Sequence, residues 1–242
     1  MPLQQHLVRG TMTNSISELS YKAVAQQVLR TGVEAANGPV QLACSFSLED
    51  VAIIDLAKEA GIEIGVFALD TGRLNEETYE VADAIVERYR IPIDWFFPQH
   101  EAVQKLEREK GLFSFRESLE NRHECCHIRK VEPLGRALQG LAGWITGMRR
   151  EHGVTRGDLK SIECDQLNGG IVKLNPLLDW TEAQLLEYAK ERRLPQNRLL
   201  AQGYRSIGCA PCTRAVQPGE DARAGRWWWE NPEHKECGLH RR

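Results

Sequence analysis

No run of apolar residues in this sequence is long enough to cross a bilayer, and the opening MPLQQHLVRGTMTNS has no apolar core of the kind a secretory signal needs. Neither a membrane nor export is expected, and the cytoplasm is the expected compartment. An excess of positive charge is lacking as well: 31 Lys and Arg face 34 Asp and Glu, for a formal charge of -3. Proteins that hold nucleic acid nonspecifically usually carry a strongly basic balance, so that partner is not expected and basic residues must matter locally. The chain has no internal repeat and no low-complexity tract. An even set of cysteines is also missing. Seven of them in a reducing compartment do not make a disulfide framework, which leaves metal binding or thiol chemistry as the better expectation.

With 242 residues, 42% hydrophobic and 27% charged, the chain can bury a full core as one domain with an appended segment. PVQLACS reads as a strand. LEDVAIIDLAKEAG follows with helical periodicity and Gly61 as its stop, then the buried strand IEIGVFALD. NEETYEVADAIVERYR is a helix with Asn75 as its cap and acidic residues in its first turn, and IPIDWFFP is the next strand. This βαβαβ rhythm predicts an α/β fold, a doubly wound and mostly parallel sheet whose ligands gather at the carboxyl ends of the strands. AGWITGM and IVKLNP read as further strands flanking the polar RREHGVTRGD, and TEAQLLEYAKERR is an amphipathic helix capped by Thr181. From Gln217 the chain turns irregular and rich in Gly, Pro, Arg and Trp. Tryptophans 227 to 229 are costly to leave in water, so this arm is expected to dock on something. The expected organisation is a leader over 1–16, an α/β domain over 17–216 and an arm over 217–242.

Two cysteines stand side by side in RHECCHIRKVEPL, residues 122 to 134. Neighbouring side chains diverge by about 100° on a helix and point to opposite faces of a strand, so packing alone rarely asks for such a pair. GCAPC supplies Cys209 and Cys212 in a C-x-x-C turn shaped by Gly208 and Pro211. A C-x-x-C turn serves zinc, a redox dithiol or an iron-sulfur site. Joined with Cys125 and Cys126 it gives four thiolates in two pairs. Structural zinc takes pairs spaced C-x(2-4)-C, which an adjacent pair fits poorly, whereas a cluster offering separate iron corners accepts it. Cys44 in QLACS and Cys164 in SIECD are expected to be buried small side chains without a role. Cys237 lies in HKECGLHRR, where His234, Lys235, His240, Arg241 and Arg242 favour its thiolate and Gly238 lets the tail bend.

The motifs SFSLED, LDTGR, ECCHIRK, TGMRREHGVTR, GCAPC, GEDARAGRWWWE and KECGLH, in this order, closely resemble the assimilatory adenylyl-sulfate (APS) reductases, of the adenine-nucleotide alpha-hydrolase-like fold. The resemblance runs from about Ser17 to the C-terminus. It implies a [4Fe-4S] cluster on Cys125, Cys126, Cys209 and Cys212, and Cys237 as the catalytic nucleophile. It implies thioredoxin or a similar dithiol protein as reductant, and a homo-oligomer is compatible with it. It also implies that APS meets Ser45 and Ser47 after the first strand, Asp70, Thr71 and Gly72 after the second, and Arg129 and Lys130 beside the cluster. Gly147, Arg149 and Arg156 in the polar loop, and Arg223, Arg226 and His240 in the arm, complete the implied substrate site. Any one of these arginines, taken alone, reads as a solvated surface charge.

Three other readings compete. A reductase of the 3'-phosphorylated nucleotide, PAPS, is nearest, but in this family the members without a cluster usually lack both cysteine pairs, which this chain keeps. An ATP-using ligase or RNA-modifying enzyme of the same fold would carry an S-G-G-x-D-S loop to cradle pyrophosphate. Here Phe46 and Ser47 stand at the two glycine positions. A noncatalytic, zinc-stabilised nucleotide-binding module would use the four cysteines and leave Cys237 idle.

Overall fold

The computed structural model describes residues 20–152 and 158–231. The first helix, α1 (Tyr21–Ala36), was not anticipated from the sequence. Its buried stripe is Ala25, Leu29 and Gly32, of which only Leu29 is a large apolar residue, so the apolar period is weak in the sequence. Gly32 lets the helix lie directly on Leu174, whose side chain occupies the place of a β-carbon. Next come β1 (Val40–Cys44), α2 (Leu48–Glu59), β2 (Gly65–Leu69), α3 (Glu76–Tyr89) and β3 (Asp94–Phe96), which is the expected βαβαβ run. The helices α4 (His100–Lys110), α5 (Leu119–Cys126) and α6 (Glu132–Ala137) lead to β4 (Gly143–Ile145), β5 (Ile162–Asp165), β6 (Ile171–Leu174) and α7 (Glu182–Arg192). Thr181 caps α7 in a reciprocal capping box with Gln184, as its sequence position predicts.

Among the described residues six strands form one sheet in the order β3-β2-β1-β4-β6-β5, parallel except for β5. Alternation along the strands sends side chains into two cores. Val40, Leu42, Cys44, Val66, Ala68 and Ile145 face one side with α2 and α7, while Phe67 and Trp144 face the other with Leu134 and Leu138 near α6. The order of strand addition reverses at β1, whose neighbours, both parallel to it, are β2 on one side and β4 on the other. A crevice at the carboxyl ends of these strands is where an open α/β sheet receives its ligand. Cys44 is buried as expected, but Cys164 is exposed. It lies on the antiparallel edge strand β5, which the sequence reading did not recognise, and its thiol meets the carbonyl of Gly170 at 3.2 Å.

Asp55 ties α2, α3 and α7 together. It accepts hydrogen bonds from Tyr188 at 2.6 Å, Arg192 Nε at 2.7 Å and Tyr89 at 3.0 Å. Burial pushes its carboxyl up, but the bonds from Arg192, Tyr188 and Tyr89 outweigh it and hold the pKa below the ordinary value. A carboxylate depressed in the folded state stabilises above its unfolded pKa, and that contribution disappears as pH falls through the folded pKa. Asp55→Asn is therefore expected to destabilise the protein at pH 7 by about 2 kcal/mol. Its stability is also expected to fall less steeply than that of the parent on acidification, as read by denaturant melts from pH 7 to pH 3.

A candidate four-cysteine and nucleotide site

Ser118 caps α5 by accepting from Asn121 N–H at 3.1 Å, and the helix ends on Cys125 and Cys126. It continues without a break through a wider π-type turn, His127–Val131, into α6, and Pro133, which has no N–H to donate back along the helix, follows directly on that turn. The second cysteine pair sits on a single tight turn, Ala210–Cys212. That turn is sewn to the loop after β2, since Ala210 N–H donates to the carbonyl of Arg73 at 2.8 Å. Asn75 does begin α3, but its amide makes no cap and instead donates to the carbonyl of Gly208 at 3.2 Å.

All four cysteines line one cavity. Arg73, Arg122, Arg129, Lys130 and Arg226 line it too, with Phe115 and Trp227. Burial pushes the Cys212 thiol up to about 12, with the negative charges of Cys209, Cys126 and Cys125 adding to it. Cys125 is raised by burial as well, against the opposing pull of Arg129 and Arg73. For Cys209 burial acts upward, yet Lys130, a hydrogen bond shared with Thr71 and the charges of Arg226 and Arg129 hold the pKa below the ordinary thiol value. That Thr71 Oγ1 to Cys209 Sγ bond is 3.3 Å long.

The donor set fits an iron-sulfur cluster. Four thiols would supply its ligands, and the cationic side chains around them would offset the negative charge of a thiolate-bound cluster. The Nε groups of Arg129 and Arg226 are buried without a hydrogen-bond acceptor among the described residues, an arrangement that calls for an anionic neighbour. Among the described residues no three His, Cys, Asp or Glu side chains gather tightly enough to chelate a metal ion.

The cavity is wired to the strand-end loops. Arg129 donates to the carbonyl of Thr71 and to Glu107, both at 2.7 Å, and Glu107 also takes Arg73 at 3.0 Å. Asp70 accepts from Gly72 N–H at 2.7 Å and from Tyr79 at 2.9 Å, and Gly72 has φ +68, a conformation that favours glycine. After β1, Asp50 takes both the N–H and the hydroxyl of Ser45, at 2.6 and 2.8 Å, and Ser47 caps α2. Burial raises the Asp50 carboxyl to about 6, against the bonds from Ser45. Between them Phe46 adopts φ 64 and stacks on Trp95 at 5.4 Å.

Gly147 brings the loop after β4 onto this one. A β-carbon there would lie 2.5 Å from Asp50 Oδ1 and 2.8 Å from Glu49 Cβ. Gly147→Ala is therefore expected to destabilise the fold by about 1–3 kcal/mol and to weaken nucleotide binding, measured by thermal melts and calorimetric titration. Arg149 is buried and engaged by Glu49 at 3.0 Å, Glu151 at 2.8 Å and the carbonyl of Trp180 at 3.3 Å, so it braces these loops. Arg223 lies in the arm, its N–H on Asp221 at 2.8 Å. Arg156, Cys237 and His240 fall outside the described residues.

Sequence reasoning missed Arg73, Glu107, Arg122 and Phe115. Their only signals were LDTGR for Arg73 and the three-residue spacing of Arg122 from Cys125, which places both on one helix face. The tryptophans divide as follows. Trp227 is buried, Trp229 packs on Phe115 beside Cys125 and Cys212, and Trp228 stays 38% exposed.

Residues 39–215 match the phosphoadenosine phosphosulfate reductase domain, and the chain is 48% identical over 231 residues to an adenosine 5'-phosphosulfate reductase of Burkholderia cepacia, covering 96% of this chain and 92% of that one. The chain belongs to the APS/PAPS reductase family. A reductase of the same description from Allochromatium vinosum is 46% identical, over 84% of this chain and 79% of that one. A phosphoadenylyl-sulfate reductase structure from Candida auris, in a phosphate complex, superposes with a TM-score of 0.67 and 27% identity, covering 86% of this chain and all of that one. The α/β fold expected from the resemblance, adenine nucleotide alpha-hydrolase-like with an irregular arm, is the one observed.

Proposed function

We propose that this family member reduces APS to sulfite and AMP in sulfate assimilation, with Cys237 as nucleophile and a thioredoxin-class dithiol protein as reductant. The observation that carries the reading is the convergence of two cysteine pairs on one cationic cavity whose Arg129 is hydrogen-bonded to the loop after β2. Relatives at 46 and 48% identity that carry the APS reductase name support it. So does the Phe46 loop, which lacks the glycines of a pyrophosphate grip.

In the first step the Cys237 thiolate attacks the sulfur of APS. An S–S bond forms, the bond from sulfur to the bridging oxygen breaks, and AMP leaves with the electron pair, giving a Cys237 S-sulfonate. One thiolate of the reductant then attacks the Cys237 sulfur and sulfite departs with the pair. The reductant's second thiol resolves the mixed disulfide, restoring the Cys237 thiol and leaving the reductant oxidised. The anionic substrate needs donors held in line, and Ser45, Ser47, Arg129, Lys130, Arg223 and Arg226 are the groups this reading assigns to it, with Arg149 bracing the loops. Cys125, Cys126, Cys209 and Cys212 would hold a [4Fe-4S] cluster. When bound it supplies fixed negative charge that orders the surrounding cations and joins α5 to the C-x-x-C turn. Among the described residues no helix is long and apolar enough to cross a membrane, which is compatible with a cytoplasmic setting for this chemistry.

The test is anaerobic turnover with reduced thioredoxin, following sulfite and AMP, with APS and PAPS compared and iron and zinc measured on the same preparation. Sulfite from APS in preference to PAPS, on an iron protein, is the expected result. No sulfite from either nucleotide, or zinc in place of iron, would overturn the reading.

A further inference from the structure

One contact fastens the arm to the cysteine-bearing helix. Arg122 is 0% exposed, and its Nε and Nη2 both donate to the Glu230 carboxylate, each at 2.9 Å, across 108 residues of sequence. Its guanidinium lies 4.6 Å from the centre of the Trp227 ring, and Arg226 lies 4.7 Å from the same centre. The backbone follows: Trp227 N–H donates to the carbonyl of Cys212 at 3.1 Å, and Glu230 N–H to the carbonyl of Trp227 at 2.9 Å. Trp227 takes φ 41, a left-handed conformation that a bulky residue adopts at a cost of about 1–3 kcal/mol unless its surroundings hold it. The root of the arm is thus built to point one way. Stability alone does not demand this, because a buried ion pair is often no better than an apolar one of the same volume.

From the bidentate geometry we infer that Glu230 is a positioning residue for the nucleophile, resting on the assignment of Cys237 above: clamped by Arg122, it fixes where the final stretch of chain begins and in which direction it leaves. Cys237 lies seven positions beyond Glu230, a reach of at most about 25 Å when fully extended. If only the length of this leash mattered, releasing Glu230 would move the last anchor back to Trp229, which packs on Phe115, from seven positions to eight. That would lower the local concentration of the thiol by less than about twofold. If the clamp sets direction, misplacement costs more, up to about a hundredfold in a well-oriented reaction.

The variant is Glu230→Gln, which keeps the shape and removes the charge from one partner, with Glu230→Asp as a charge-retaining companion. In iron-loaded protein without reductant, the single-turnover rate of Cys237 sulfonate formation at saturating APS is expected to fall by about tenfold or more, with partial recovery in Glu230→Asp. Iron content, APS affinity and alkylation of Cys237 by iodoacetamide, an intermolecular reaction that needs no positioning, are expected to match the parent. A sulfonation rate within twofold of the parent overturns the inference. So does a parallel loss of iron or of APS affinity, which would make the pair a prop for the site. Absence of the adduct in the parent itself would instead defeat the assignment of Cys237.

Discussion

Cys209→Ser is expected to strip the protein of iron and acid-labile sulfide and to abolish turnover, with the sheet left intact. A serine oxygen is a hard donor where iron-sulfur chemistry asks for a soft thiolate. Losing even a hydrogen-bonding partner of a ligand typically costs about 10–100-fold in metal affinity, so losing a ligand costs more. Cys209 is also the cysteine that its surroundings favour as thiolate, through Lys130, Thr71, Arg226 and Arg129. Without an anion in the cavity, the buried Nε groups of Arg129 and Arg226 keep no acceptor among the described residues. The arm should therefore loosen along with the cluster, because Arg226 and Trp227 line the same space. Iron and sulfide analysis, visible absorbance and far-ultraviolet circular dichroism read the three parts separately. Full iron content in Cys209→Ser would contradict the ligand assignment.

The second large effect is the reverse in kind. Cys237→Ser is expected to lose turnover by several orders of magnitude while retaining iron, sulfide and visible absorbance at parental levels. At neutral pH a thiol offers a few per cent of intrinsically reactive thiolate, and a hydroxyl without an adjacent base offers almost no alkoxide. In this account Cys125, Cys126, Cys209 and Cys212 hold the cluster and Cys237 does not, so its removal would take no ligand from it. Iron loss in this variant would tell against two separate cysteine classes.

The sheet was legible because its central strands are short apolar runs separated by helices with clear stops. Val40–Cys44 and Gly65–Leu69 are flanked by Ser47, Gly61 and Asn75, each of which marks a boundary in the structure. What escaped notice had weak local signals. Two of the three buried positions of α1 are Ala and Gly, and β5 is an edge strand of four residues, two of them acidic, which leaves Cys164 outside the core. In the site, the cysteine pairs announced themselves by spacing and by motif, whereas their surroundings did not. Glu107 bridges Arg73 and Arg129 from a helix whose sequence reads as ordinary surface. Arg122 pairs with a glutamate 108 residues away, a contact that no local pattern encodes. Arg149 reads as a substrate donor in its motif and is held instead by Glu49 and Glu151, because the fold brings the β4 loop onto the start of α2.

The most direct measurement is an anaerobic single turnover with sulfur-labelled APS or PAPS and no reductant, followed by mapping of the labelled peptide. The account predicts label from APS on Cys237, released as sulfite when a dithiol protein is added, with poor labelling by PAPS. Label on one of the cavity cysteines, or on no residue from either nucleotide, would contradict it.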